Sequence, residues 1–361
     1  MKTSLPDPRP RRALRADHPL SAAVAAAVQS VGSGSEALFV SRLAGAVRKL
    51  LQRGDEAAVL AALDEASGPA AAAIAEAVDM AVNGPGDDED VALLARVFLL
   101  PILFVVGGKA PARIAGIVPD VAPITALLKE AGALGAVENF GLSNALGTFE
   151  AAAVVSPRRL FDVVRGLGAG GPDSLIQPAG IDIAKADEQV HLRFLAGASV
   201  TPADLPGFLE RSSQVGRWGM PLSQQLARQL GEEGLSLLPL PRAPRPWFAA
   251  LEDGRFARAE LAFNLFATGA IRRIRSETGD PVAEVSARDD GTIRVDLLSP
   301  LDPMLRHAHA WPLTAADDVG RVELAVRELL RDCRVQSVSV HAEVKAAEPL
   351  VQPGPFNLLR H

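Results

Sequence analysis

The chain has 361 residues, 48% of them hydrophobic and 22% charged, and a formal net charge of −6. That length predicts two domains, or one large domain with an accessory segment, and enough apolar surface for a sizeable core. The acidic balance argues against a nucleic-acid partner, and the single cysteine, Cys333, excludes an intrachain disulfide and fits a reducing, cytoplasmic compartment.

Heavy use of Ala, Gly, Pro and Arg points to a GC-rich, bacterial genome. Residues 1–19 are expected to be a disordered basic arm. Arg9, Arg11, Arg12 and Arg15 are diluted there by Pro6, Pro8, Pro10, Asp7 and Asp17. The arm has no apolar stretch of the kind a secretory leader needs. The longest apolar run, residues 97–106, is broken by Pro101. It falls short of the about 20 residues that cross a bilayer, so no membrane partner is expected.

Residues 20–82 read as a helical segment of three short helices. Phe39, Leu43, Val47, Leu50 and Leu51 recur at helical spacing, with Ser35 placed to cap them. Asp55 caps a second helix bearing Val59, Leu60 and Leu63. Gly68-Pro69 opens a third bearing Ile74 and Val78, with proline at the first position, where its missing N–H costs nothing. Residues 83–90, Asn-Gly-Pro-Gly followed by an acidic run, read as a linker.

From 91 to 345 the pattern changes to a mixed α/β body, so the fold class is α+β with a helical segment first. Strands are expected at 101–106, 189–200 and 235–240, and helices at 123–131, 221–230 and 256–275. A hairpin over 282–288 and 292–298 turns at Asp289-Asp290-Gly291. A proline-containing loop is expected over 299–312. A helix then starts at a capping-box-like Thr314 and Asp317 and runs to about Arg331, and a strand covers 335–344. Residues 346–361 form a C-terminal tail. The body hints at two repeats, about 91–200 and 190–345. The helix before Gly141-Leu142-Ser143 parallels the helix before Gly234-Leu235-Ser236, and the alternating stretches 191–195 and 293–297 follow in turn.

Chemistry-bearing motifs are few. Gly166-Leu167-Gly168-Ala169-Gly170-Gly171 follows a helix rather than a strand, so a pyrophosphate would not meet a helix N-terminus. Val106-Gly107-Gly108-Lys109 lacks the first glycine and the hydroxyl of a phosphate loop. Cys333 lies between Asp332 and Arg334, near a helix end, with no nucleophilic-catalysis pattern around it. Arg255, Arg258, Arg272, Arg273 and Arg275 make one helix region basic. The sharpest constellation is His307 and His309 with His341 and Glu343, whose imidazoles and carboxylate could ligate zinc. Two functions stand beside each other at this level. One is a non-enzymatic cytoplasmic binding, assembly or regulatory protein with a protein or small-molecule partner and no cofactor. The alternative is a metal-dependent hydrolase built on that His/Glu cluster.

Overall fold

The computed structural model describes residues 4–9, 13–85, 93–108, 113–133, 139–166, 172–182, 190–202, 215–231, 235–302 and 304–347. Helices fill the first part and two four-stranded sheets the rest, a mixed α+β class. Among the described residues no helix is long and apolar enough to cross a membrane. The chain divides into two compact units. The larger takes residues 13–66 and 70–256, and the smaller takes the described residues before 13, Ser67–Pro69 and the chain from Ala257 on.

The larger unit opens with four helices rather than three: α1 (Ser21–Gln29), α2 (Glu36–Gln52), α3 (Glu56–Glu65) and α4 (Pro69–Asn83). The extra helix, α1, is alanine-rich, and its weak amphipathic contrast hid it. On α2 the buried stripe is Val40, Leu43, Ala44, Val47 and Leu51. The Asp55 carboxylate accepts from the Ala58 N–H, as its position before α3 requires. Buried Arg48 of α2 donates to the carbonyls of Met80 and Ala81, so a cation closes the C-terminal end of α4.

The first sheet combines β1 (Leu93–Gly108), β3 (Asn139–Gly147), β5 (Val190–Pro202) and β6 (Leu235–Pro241) in the order β3-β5-β1-β6, every neighbour antiparallel. Helix α5 (Ala122–Glu130) lies between β1 and β3 in the chain, and α8 (Val215–Leu230) between β5 and β6. This is the split β-α-β arrangement, in which each half inserts a strand between those of the other. A short ladder of β2 (Arg113–Ile114) with β4 (Ile181–Asp182) stands apart. On one face of β1, Phe98, Leu100, Ile102, Phe104 and Val106 pack with Ile124 and Leu128 of α5 and with Trp218, Leu222 and Leu226 of α8. The opposite face is also buried, and the ring of Phe194 and the side chain of Leu192 meet Gly254, where a β-carbon would crowd them. Burial on both faces explains why β1 reads as one apolar run.

Pro101 is tolerated within β1 because of where its missing N–H would point. Its carbonyl accepts from Arg242, just beyond the end of β6, so the lost donor lies where that ladder stops. Phe98 lies across Gly197 of β5, its directly paired residue, and covers the space a side chain would fill.

The smaller unit has β7 (Val282–Ala287), β8 (Thr292–Leu298), β9 (Arg306–Pro312) and β10 (Ser337–Val340), ordered β10-β7-β8-β9. The first three form an antiparallel meander, and β10 joins β7 in parallel after α10 (Val319–Asp332). Helix α9 (Trp247–Glu277) supplies its residues from Ala257 on. The expected hairpin forms as read, with Gly291 at φ +80°.

Three expectations change here. Residues 306–312, read as part of a loop, are a strand. The last strand is Ser337–Val340 rather than ten residues long. The N-cap of α10 is Asp318, while Asp317 accepts from the N–H and hydroxyl of Thr314 and closes the preceding turn. The arm is held where it is described, with Leu5 buried and its N–H donated to Glu323 of α10 at 2.8 Å. The expected repeat pairs α5–β3 with α8–β6, which fill matching places in the first sheet. Its next pair, β5 and β8, lies in different sheets.

Candidate functional site

Alternation along β8 sends Ile293, Val295 and Leu297 to the core, where all three are buried, and Arg294 and Asp296 to the opposite face. The register places Ser286 of β7 beside Arg294, Glu284 beside Asp296, and Ala310 and Ala308 of β9 on their other sides. A polar sheet face results. Asp296 is 2% exposed and is its centre. Arg294 Nε donates to both carboxylate oxygens at 3.1 Å, Arg306 Nε to Oδ1 at 3.0 Å, and Arg288 Nη2 stands 3.9 Å from Oδ2. Three guanidinium groups therefore surround one carboxylate. Arg288 also donates to the carbonyl of Ala346 at 2.8 Å, tying the chain after β10 to this face. Burial makes the carboxylate indispensable, because removing it would strand cations in a low-dielectric setting.

The four candidate metal ligands fall elsewhere. His307 and His309 lie on β9, on the core side with Trp311. His309 packs at a tilt against two aromatic rings of α9, 5.5 Å from Phe263 and 5.1 Å from Phe266 by ring centres. Burial pushes its pKa from 6.5 down to about 4, so it is neutral at physiological pH. The His307 pKa is also lowered, by burial first and then by the Arg273 cation. His341 follows β10, at the other edge of the sheet, and its Nε2 is 3.6 Å from Glu284. Glu343 is exposed beyond it. Three strand spacings of about 4.8 Å separate the edges, so the two pairs stand about 14 Å apart. Zinc ligands need donor atoms within about 4 Å of one another. Among the described residues no three His, Cys, Asp or Glu side chains gather as a metal site.

The remaining motifs resolve as structure or lie outside the described residues. Cys333 is the C-cap of α10, and its carbonyl accepts from Arg275 at 3.3 Å. Arg273 pairs with Glu277, Arg275 with Asp280 and Arg255 with Glu252, so three of the five arginines of this basic region meet carboxylates close by in the chain. Of the glycine-rich stretch, only Gly166 is described, at φ +67° after α7 (Pro157–Val164). Lys109 and the acidic run at 87–90 lie outside the described residues.

One group with shifted chemistry escaped the sequence reading. Asp79 of α4 is buried and accepts from the N–H groups of Phe248 at 3.0 Å and Ala249 at 2.8 Å, in the first turn of α9. Pro246, just before α9, has no side-chain acceptor for those donors, so Asp79 caps the helix from another element. Burial pushes its pKa from 3.8 up to about 7, against the lowering effect of the N–H donors. A lone Asp at a buried helical position is the available sequence signal, but its partner is 169 residues away. Compared with known protein families, curated proteins and solved structures, the chain matches none.

Proposed function

We propose that this chain is a non-enzymatic cytoplasmic binding or assembly protein, and that the smaller unit presents its binding surface. The observation that carries this reading is the use made of the chemically able side chains. His307 and His309 face the core of the sheet, and burial beside two aromatic rings holds His309 neutral. Cys333 and Asp79 serve as helix caps, and Asp296 is saturated by guanidinium groups. Packing, capping and charge compensation account for all five. A general base or a metal ligand needs a lone pair facing a space that a substrate can enter. Metal analysis of the purified full-length chain tests the reading directly. No metal should be present at a stoichiometric level, before or after replacement of His341 and Glu343 by alanine. A stoichiometric metal that the His341→Ala variant loses would overturn it in favour of a hydrolase.

A further inference from the structure

Strand β9 is an edge of its sheet, and the register fixes which of its peptide groups face outward. Leu313 donates its N–H to Gly291 and Ser299 donates to Leu305, so odd-numbered residues of β9 bond to β8. Arg306, Ala308, Ala310 and Pro312 therefore turn their main-chain groups away from the sheet. Pro312 has no N–H, and Arg306 donates locally to Met304. The N–H and C=O groups of Ala308 and Ala310 have no hydrogen-bond partner among the described residues. Both residues are partly exposed.

Both edges of the first sheet are guarded. The outward positions of β6 include Pro239 and Pro241, as the inward N–H of Arg242 shows by alternation. Strand β3 is bulged between Leu142 and Leu146. An edge left open at two successive outward positions is a template for an added strand.

The surroundings define what would fit. Arg306, beside the open positions, is 43% exposed and shares Asp296 with two further arginines, so three guanidinium groups meet one carboxylate at this end of the edge. The loop joining β8 to β9 holds up two apolar side chains, Leu301 at 76% and Met304 at 90% exposure. Ala308 and Ala310 are small, so the side chains of an incoming strand can lie over them on the polar face.

We propose that the open edge of β9 captures an extended acidic and apolar segment of a partner protein by strand addition. This rests on the binding-protein reading above. In antiparallel register one partner residue pairs with Ala308 and the residue two before it with Ala310, giving four main-chain hydrogen bonds. The residue two after the Ala308 partner comes opposite Arg306 and carries the carboxylate. The residues that follow are apolar and cover Leu301 and Met304.

The test is a selection of phage-displayed random nine-residue peptides on the full chain, followed by anisotropy titration of the synthesised binders and amide hydrogen exchange of the complexes. Binders should be acidic, rich in residues favoured in strands, and end in apolar residues. They should slow exchange at Ala308 and Ala310. Ala308→Pro removes one outward N–H and leaves every bond to β8 in place, and it should weaken binding about tenfold. Unchanged exchange elsewhere in the β7–β9 meander confirms that this variant is folded, and Arg306→Gln supplies a second probe with weakened selection for acidic peptides. Peptides that bind equally well to Ala308→Pro, or no binders at all, overturn the edge proposal without touching the metal result that tests the broader reading. A dimer in sedimentation that Ala308→Pro dissolves also overturns it, since a second copy would then own the edge.

Discussion

Between pH 4 and 6.5 the His309 imidazole holds fewer protons in the folded chain than in the unfolded one. Contact with Phe263 and Phe266 excludes water, and the cost of burying an imidazolium lowers its pKa from 6.5 to about 4. Stability falls as pH drops through that window, because the unfolded chain takes up the proton first. The slope reaches about 1.4 kcal/mol per pH unit, so this residue alone costs about 2 kcal/mol at pH 5 relative to pH 8. His309→Phe keeps an aromatic ring in the same packing and removes the titration. Urea denaturation followed at Trp311, in the same unit, should show a markedly smaller drop between the two pH values in the variant, and the remainder includes His307, shifted in the same direction. An identical drop in both chains would mean that His309 is protonated or solvated in the fold. The same packing also shapes how this stretch reads in the sequence. In His-Ala-His-Ala-Trp the histidines face the core and the alanines face outward, which inverts the period-2 signal that would mark a strand, and the stretch reads as a loop.

Single elements were legible in proportion to how much of their signal is local. The β7–β8 hairpin was readable because Asp289-Asp290-Gly291 sets its own turn, and Gly291 needs the positive φ that it has. The extent of β1 was not, because Pro101 looks like a strand-breaker until β6 is known to end beside it. The residue that caps the start of α9 at Trp247 lies on α4, and no window around residue 247 contains that partner. The polar centre of the candidate site was equally hidden, since Arg294 and Asp296 are two residues apart but Arg288 and Arg306 arrive from neighbouring strands. The end of α10 carries an element-scale prediction. Arg334 N–H bonds to the Arg331 carbonyl and Val335 N–H to the Leu330 carbonyl, a Schellman close with Val335 and Leu330 both buried. Arg334 holds the left-handed position at φ 60°, where a side chain costs roughly 1–2 kcal/mol that glycine avoids. Part of that gain is offset by the greater freedom of glycine in the unfolded chain. Arg334→Gly should therefore raise stability by up to about 1 kcal/mol in thermal or urea denaturation. A lower melting temperature would show that Arg334 makes a contact worth more than its strain.

At the scale of the whole molecule, the two units carry buried groups whose titrations pull in opposite directions. In the larger unit Asp79 has its pKa raised from 3.8 to about 7. Its folded form holds a proton that the unfolded chain has released, so its contribution is complete below pH 3.8 and is lost as pH rises through 7. In the smaller unit His309 and His307 contribute stability that is lost as pH falls. Acidification from pH 8 to pH 5 should therefore strengthen the larger unit and weaken the smaller. The tryptophans report on each separately, since Trp218 and Trp247 are fully buried in the larger unit and Trp311 in the smaller. Fluorine NMR of the chain labelled with 5-fluorotryptophan, followed through a urea titration, gives each residue its own midpoint. The Trp311 midpoint should move to lower urea at pH 5, while those of Trp218 and Trp247 move to higher urea. Replacing Asp79 with Asn removes the ionisable group from the cap and should abolish the upward movement while leaving the Trp311 shift intact. If the three resonances move together and in one direction, the opposing titrations do not govern the stability of separate units, and the pH response belongs to a single cooperative transition.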